Sequence, residues 1–142
     1  MTISRASAVW EGKLKEGKGS YKAASGAFQG AYSFRTRFEG ATGSTPEELI
    51  AAALAACLSM ALSADLEKAG TPATRVETEA ACTIDKVGDG VKITTIDLKI
   101  RGKVAGIDQA KFQKAAEGAK NGCPVSGALK GNVQMKLEAK LE

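Results

Sequence analysis

A long apolar segment with a well-marked helix start constrains this fold more than any other feature of the chain. Thr45 can cap the helix, Pro46 fits its first position, and Glu48 stands where a capping box needs a carboxylate. The pattern predicts a helix that runs to about Lys68 and ends at Gly70.

This helix is apolar nearly all round between residues 49 and 64, so it must be buried on most sides, between a sheet and another helix. Its longest apolar run, residues 49–62, is interrupted by Ser59 and is shorter than the roughly 20 residues that cross a bilayer, which favours a core helix over a membrane span. A chain of 142 residues offers little material to cover it, which points to a dimer.

The N-terminal third has glycines spaced as turns between short strands, which predicts β-hairpins. Residues 32–38 alternate in polarity, so we expect a strand with Tyr32, Phe34 and Phe38 on one face. Arg37 would then point away from that aromatic face.

The rest of the chain predicts a strand pair, two helices and a closing strand. The predicted elements are strands at 75–87 and 91–104 joined by a turn at 88–90, helices at 108–120 and 124–130, and a strand at 133–141. The apolar parity of the second long strand switches between Ile93 and Ile96, which indicates a bulge. This order is an α+β pattern in a single domain of residues 1–142.

Composition excludes several classes of function. The 20 basic and 16 acidic residues are interleaved along the chain, without the clustered basic footprint of nucleic-acid binding. No glycine-rich nucleotide motif is present, and three cysteines without histidine give no metal pattern, so we expect neither cofactor nor metal. The odd cysteine count and the lack of a leader predict a cytoplasmic protein.

Because the chain has no histidine, we expect its cysteines to carry the chemistry. Cys57 lies in the apolar helix, where it is either a small hydrophobic residue or a thiol activated by a nearby cation. Cys123 precedes Pro124 at a helix start, where it is either a plain cap or a thiolate favoured by unpaired N–H groups. On these grounds Cys123 is expected to have the lower pKa, and Cys82 is expected to be part of the core.

Two charged residues have simple interpretations when taken alone. Arg37 would be a surface charge on a strand, and Glu47 a first-turn helix charge that favours the macrodipole.

Four ordered motifs resemble those of the OsmC/Ohr family of osmotically inducible and organic hydroperoxide resistance proteins. The motifs are RTRFEG at residues 35–40, GSTPEELI at 43–50, AACLSMAL at 55–62 and GCPVS at 122–126. The similarity covers nearly the whole chain and is closer to the OsmC branch than to the Ohr branch.

The resemblance implies an OsmC-like fold: an intertwined homodimer with two central buried helices per subunit, wrapped by antiparallel sheets. It also implies a thiol peroxidase that reduces organic hydroperoxides, and hydrogen peroxide less readily. Cys57 matches the peroxidatic cysteine and Cys123 the resolving one, while Arg37 matches the arginine that stabilises the thiolate and Glu47 the carboxylate that orients it. The reaction would leave a disulfide between Cys57 and Cys123, which an external dithiol would reduce. In the Ohr branch this reductant is a lipoyl-type dithiol.

Helix geometry adds a further expectation. Glu47 and Cys57 are ten residues apart, about 15 Å along a helix axis, which is too far for one site. If both belong to one site, Glu47 comes from the partner subunit, and the active sites lie at the dimer interface.

The chain departs from the family pattern at two positions near the first cysteine. OsmC-like relatives often have a histidine where this chain has Leu54, and an aromatic residue where it has Leu58. These changes bear on substrate shape and reaction rate.

Two other functions stay open at this point. One is a non-enzymatic module that binds a hydrophobic small molecule in a pocket at a dimer interface. The other is a peroxide sensor or disulfide carrier that uses the same cysteines and passes its oxidation to a partner.

Overall fold

The computed structural model describes residues 1–142, which form six strands and four helices. They are β1 (Ala6–Glu11), β2 (Lys18–Ala23), β3 (Gln29–Tyr32), α1 (Phe34–Phe38), α2 (Pro46–Lys68), β4 (Ala73–Val87), β5 (Gly90–Val104), α3 (Gln109–Gly122), α4 (Pro124–Leu129) and β6 (Gln134–Leu141). The mixture of helices and sheets confirms the α+β class. The chain divides into two compact units, Met1–Leu49 and Ile50–Glu142, and the single domain stays a prediction.

The first unit contains an antiparallel sheet in the order β1-β2-β3, which confirms the predicted hairpins. Three aromatic rings pack on this sheet: the centroid of Tyr32 lies 5.6 Å from that of Trp10 and 6.1 Å from that of Tyr21. This cluster gives the small sheet its own apolar surface.

The strand predicted over residues 32–38 is wrong, because the chain turns into helix α1 after Tyr32. Ser33 is the N-cap of α1 and forms a capping box with Thr36, whose backbone N–H bonds to the Ser33 hydroxyl at 3.1 Å. Two otherwise unpaired N–H groups are satisfied in this way, so the helical conformation is favoured locally. Arg37 therefore lies on a short helix.

The start of α2 confirms Thr45 as the cap, since the Glu48 backbone N–H donates to Thr45 Oγ1 at 3.0 Å. The Glu48 carboxylate does not return a bond to the Thr45 N–H, so the capping box is only half formed. The helix is 23 residues long and ends at Lys68, as the sequence predicts.

The second unit contains a sheet in the order β4-β5-β6, in which β4 and β5 are antiparallel but β5 and β6 are parallel. The expectation of purely antiparallel sheets is therefore wrong. The chain from β5 to β6 passes through α3 and α4, and a helical crossover of this kind lets two strands run in the same direction.

The predicted bulge lies in β5. Thr83 pairs with Thr95 while the next residue, Ile84, pairs with Ile93, so Thr94 is the extra residue. The bulge explains why the apolar parity of this strand switches there.

One face of α2 forms the core of the second unit together with β5 and α3. Its buried leucines are Leu54, Leu58, Leu62 and Leu66, and they belong to a cluster with Ile96, Leu98, Ile100, Phe112, Ala116 and Ala119. Gly102 of β5 leaves the space that the Phe112 ring fills, because a Cβ at this position would collide with that ring.

The opposite face of α2 is exposed in the single chain, and Met60 is 78% exposed on it. By length and composition alone α2 could cross a bilayer, although its leucine face packs into the core just described. Ala52 and Ala56 lie on the exposed face as well. The homodimer that would cover this face stays a prediction.

The outer edge of β6 is bonded by glutamine side chains of α3. Gln109 Nε2 donates to the Ala139 carbonyl at 2.7 Å, and its Oε1 accepts from the Leu141 backbone N–H at 2.7 Å. Gln113 Oε1 accepts from the Ala139 N–H at 3.2 Å. These bonds hold α3 against the sheet, and α3 ends at Cys123.

Candidate active site

Helices α2 and α4 bring two cysteines into contact. Cys57 lies about three turns into α2, and Cys123 is the residue at which α3 ends and α4 begins, with Pro124 in the first position of α4. The Cys123 thiol donates to Cys57 Sγ over a distance of 2.7 Å, and both residues are reduced. A disulfide needs about 2.05 Å, so the two sulfur atoms can join after a small shift of their side chains.

The two thiols differ in their environment. Cys57 is partly exposed, whereas Cys123 is 1% exposed. Burial raises the pKa of the Cys123 thiol, and the hydrogen bond to Cys57 raises it further. The backbone N–H groups of Ser126 and Val125 lower this pKa, but burial outweighs them.

The expectation that Cys123 has the lowered pKa is therefore wrong. Its position at a helix start is as predicted, but its side chain is enclosed by apolar neighbours, and this burial outweighs the effect of the N–H groups in the first turn of α4. Cys123 keeps its proton and presents it to the more accessible sulfur of Cys57.

A second pair of candidate residues lies in the first unit. Arg37 Nε and one terminal nitrogen both donate to the same carboxylate oxygen of Glu47, at 2.9 and 2.6 Å. The Glu47 side chain is 6% exposed and that of Arg37 is 35% exposed, so the carboxylate is enclosed while part of the guanidinium reaches the surface. The Phe38 ring lies 5.2 Å from the guanidinium carbon and further restricts it.

This pair leaves one polar atom without a partner, because Glu47 Oε2 is buried and accepts no hydrogen bond. Arg37 is thus the sole partner of an enclosed carboxylate. Such a carboxylate fixes the orientation of the guanidinium, whose remaining N–H groups are available to an anion such as a thiolate.

The structure thus places the four candidate residues in two pairs, Cys57 with Cys123 and Arg37 with Glu47. Cys82 lies on β4 and packs against the core, which agrees with its predicted structural place. No group of three His, Cys, Asp or Glu residues is arranged to hold a metal ion.

Sequence reasoning missed the two residues that build α1. Ser33 and Thr36 form the capping box that puts Arg37 on a helix next to Glu47. The signal was present as a serine followed three positions later by a hydrogen-bonding side chain.

Comparisons with known proteins are consistent across sequence and structure. Residues 39–138 match the family model of the OsmC-like proteins. The chain is 47% identical over 142 residues to "Peroxiredoxin OsmC" of Escherichia coli strain K12, covering 99% of both chains. It is 35% identical over 103 residues to "Organic hydroperoxide resistance protein OhrB" of Bacillus subtilis, covering 72% of this chain and 74% of that one. The crystal structure of that OhrB superposes with a TM-score of 0.73 at 27% identity, covering 96% of this chain and 98% of the other.

Proposed function

Because the chain belongs to the OsmC family, we propose that it is a cysteine-based peroxidase that reduces organic hydroperoxides to alcohols, and hydrogen peroxide more weakly. The names of its relatives, a peroxiredoxin and organic hydroperoxide resistance proteins, support this activity. The observation that carries the proposal is the contact between a partly exposed Cys57 and a buried Cys123.

In the first step, the Cys57 thiolate attacks one oxygen of the hydroperoxide. The O–O bond breaks, the sulfur takes up the OH group as a sulfenic acid, and the other oxygen leaves as an alkoxide that gains a proton to become the alcohol. Cys57 suits this step because it is the more accessible of the two thiols and accepts a hydrogen bond from Cys123.

In the second step, the sulfur of Cys123 attacks the sulfenic acid of Cys57. The S–S bond forms, the S–O bond breaks, and the Cys123 proton leaves with the hydroxyl as water. The distance of 2.7 Å between the sulfur atoms supports this condensation without rearrangement of the helices. An external dithiol, for which a lipoyl-type dithiol is the candidate, then reduces the disulfide by thiol exchange.

Arg37 and Glu47 would act together as a unit. We assign the stabilisation of the Cys57 thiolate to Arg37 and the orientation of the guanidinium to Glu47, and their two hydrogen bonds support this assignment. The ten-residue spacing from Glu47 to Cys57, about 15 Å along a helix axis, is too long for one site and supports the proposal that the two residues of one chain serve different sites. Since Arg37 is bonded to Glu47, both are proposed to serve the Cys57 of the partner subunit in a homodimer.

The exposed apolar face of α2 around Met60 supports such a homodimer. We further propose that the protein works in the cytoplasm in defence against oxidative and osmotic stress.

The positions that depart from the family pattern, Leu54 and Leu58, are both fully buried in the core. Their side chains therefore act on the reaction through the packing of α2 around Cys57.

The test is peroxide consumption. Cumene hydroperoxide, tert-butyl hydroperoxide and hydrogen peroxide are offered with dithiothreitol or dihydrolipoamide to the wild type, Cys57→Ser and Cys123→Ser, with Cys82→Ser as the matched control. We expect Cys57→Ser to abolish turnover and Cys82→Ser to preserve it. Stoichiometric oxidation without turnover would favour the disulfide carrier, and no reaction of the wild type would favour the binding module.

The interface site is tested with hybrid dimers of Cys57→Ser and Arg37→Ala subunits. If Arg37 acts across the interface, the intact Cys57 of one subunit meets the intact Arg37 of the other. The hybrid then recovers activity that neither parent dimer has. If Arg37 serves its own subunit, the hybrid stays as inactive as its parents.

A further inference from the structure

Residues 39–45 connect the two halves of the Arg37–Glu47 pair. Arg37 is on α1, which ends at Phe38, and Glu47 is the second residue of α2, which begins at Pro46. The path of this connection therefore decides how the guanidinium meets the carboxylate.

A tyrosine on the sheet of the first unit holds this connection in place. The Tyr21 hydroxyl donates to Ser44 Oγ at 2.7 Å, and Ser44 Oγ donates to the Ala31 carbonyl at 2.6 Å. Both distances are typical of well-formed O–H···O hydrogen bonds. Ser44 is thus attached to β2 through Tyr21 and to β3 through Ala31, and we refer to these three residues as the Tyr21 clamp.

The sheet has room for this clamp because of a glycine. A Cβ at Gly30 would collide with the Tyr21 hydroxyl, so any larger residue at this position would displace the phenol group from Ser44. The hydroxyl is partly buried, which protects its bond from competition with water.

The same connection also packs against α1. Gly43 has a φ of +147°, and a Cβ built on it would lie 2.7 Å from Thr36 Cγ2. Thr36 directly precedes Arg37, so the connection passes α1 at the turn that carries the guanidinium. The other end of the connection leads at once into the N-cap Thr45 of α2.

We propose that Tyr21 and Ser44 are positioning residues that set the Arg37–Glu47 pair for thiolate stabilisation; this inference rests on the proposed function. They touch neither substrate nor sulfur, and they act by holding the connection between α1 and α2 against the sheet. Loss of the clamp lets Arg37 sample other orientations, which weakens its hold on a thiolate.

The experiment measures the rate of Cys57 oxidation and of Cys57 alkylation by iodoacetamide against pH, in the wild type, Tyr21→Phe, Ser44→Ala and Arg37→Ala. Loss of one hydrogen bond in Tyr21→Phe is expected to slow oxidation about 3- to 10-fold at neutral pH, and loss of two in Ser44→Ala about 10-fold or more. The midpoint of the alkylation profile should move toward that of Arg37→Ala. Ser44→Thr keeps the hydroxyl, so its alkylation profile should match that of the wild type.

The matched control is Tyr32→Phe, because the Tyr32 ring packs against Tyr21 but its hydroxyl makes no hydrogen bond. It should leave both profiles unchanged. If Arg37→Ala shifts the alkylation midpoint while Tyr21→Phe and Ser44→Ala do not, the clamp proposal is overturned and the role of Arg37 stands. If Arg37→Ala itself leaves the midpoint unchanged, the proposed role of Arg37 fails, and the clamp proposal fails with it.

Discussion

Removal of Arg37 should destabilise the protein more than neutralisation of its partner Glu47. Arg37→Ala leaves a carboxylate that is 6% exposed without a counter-charge or hydrogen-bond donor. Glu47→Gln leaves a guanidinium that is 35% exposed and can be solvated by water. The asymmetry follows because the free-energy penalty of an unpaired charge grows with its burial.

The magnitudes follow from the geometry of the pair. Two unit charges about 4 Å apart attract by about 4 kcal/mol at an effective dielectric constant of roughly 20, before desolvation is subtracted. Breaking a fully buried pair costs about 3–5 kcal/mol, and an exposed pair contributes less than about 1 kcal/mol. Because one partner is buried and the other is partly exposed, we expect the free energy of unfolding to fall by about 2–4 kcal/mol in Arg37→Ala and by about 1 kcal/mol in Glu47→Gln.

The assay is urea unfolding of the reduced protein at one fixed concentration, with both single variants and the double variant. The double variant should recover about 1 kcal/mol or more relative to Arg37→Ala, because it removes the unpaired carboxylate as well. Arg35→Ala is the matched control: its ion pair with Glu39 is 73% and 52% exposed, so the loss should be below about 0.5 kcal/mol. Equal losses for Arg37→Ala and Glu47→Gln, or no recovery in the double variant, would refute this reasoning.

Three other predictions concern the second unit. Iodoacetamide at neutral pH should modify Cys57 at least about 10-fold faster than Cys123, because Cys123 is 1% exposed and has a raised pKa. Peptide mapping that finds Cys123 modified first would contradict this. The stability that Cys123 contributes is fully present below the thiol pKa of the unfolded chain, about 8.5, and is lost as pH rises toward the raised pKa of the folded state. The free energy of unfolding should therefore fall more steeply from pH 8 to pH 10 in the wild type than in Cys123→Ser, and parallel slopes would count against the raised pKa. Gly102→Ala should lower the free energy of unfolding by about 1–3 kcal/mol, because the added Cβ meets the Phe112 ring. Gly118→Ala on α3 should raise it by up to about 1 kcal/mol, because the added Cβ meets nothing within 4 Å. Calorimetry that ranks the two variants the other way would refute the packing argument.

Local signals explain why α2 could be predicted from the sequence and α1 could not. The start of α2 has a cap, a proline and an apolar run that agree with one another. Over residues 32–38 the pattern fits two periods, since Phe34 and Phe38 share a face of a strand and also lie four residues apart on a helix, where their rings pack at 5.0 Å. The capping box of Ser33 and Thr36 decides between them in favour of the helix.

The direction of β6 and the burial of Cys123 depend on tertiary structure. Strict alternation predicts that residues 134–141 form a strand, but a parallel and an antiparallel neighbour leave the same pattern. Likewise, the sequence places Cys123 at a helix start, but its pKa depends on the core that surrounds it. The resemblance places Arg37 and Glu47 in one site. That two nitrogens of Arg37 donate to the same oxygen of Glu47 follows only from the geometry of α1 and α2.

The glutamine bonds along β6 also limit how the protein can polymerise. A strand at the edge of a sheet usually has free N–H and C=O groups, which can pair with a strand of another chain and start aggregation. Here the N–H and C=O of Ala139 and the N–H of Leu141 are already occupied by Gln109 and Gln113, so this end of the β6 edge has little left to offer an incoming strand. The side chains of α3 therefore protect this end of the sheet edge against the addition of a strand from another chain.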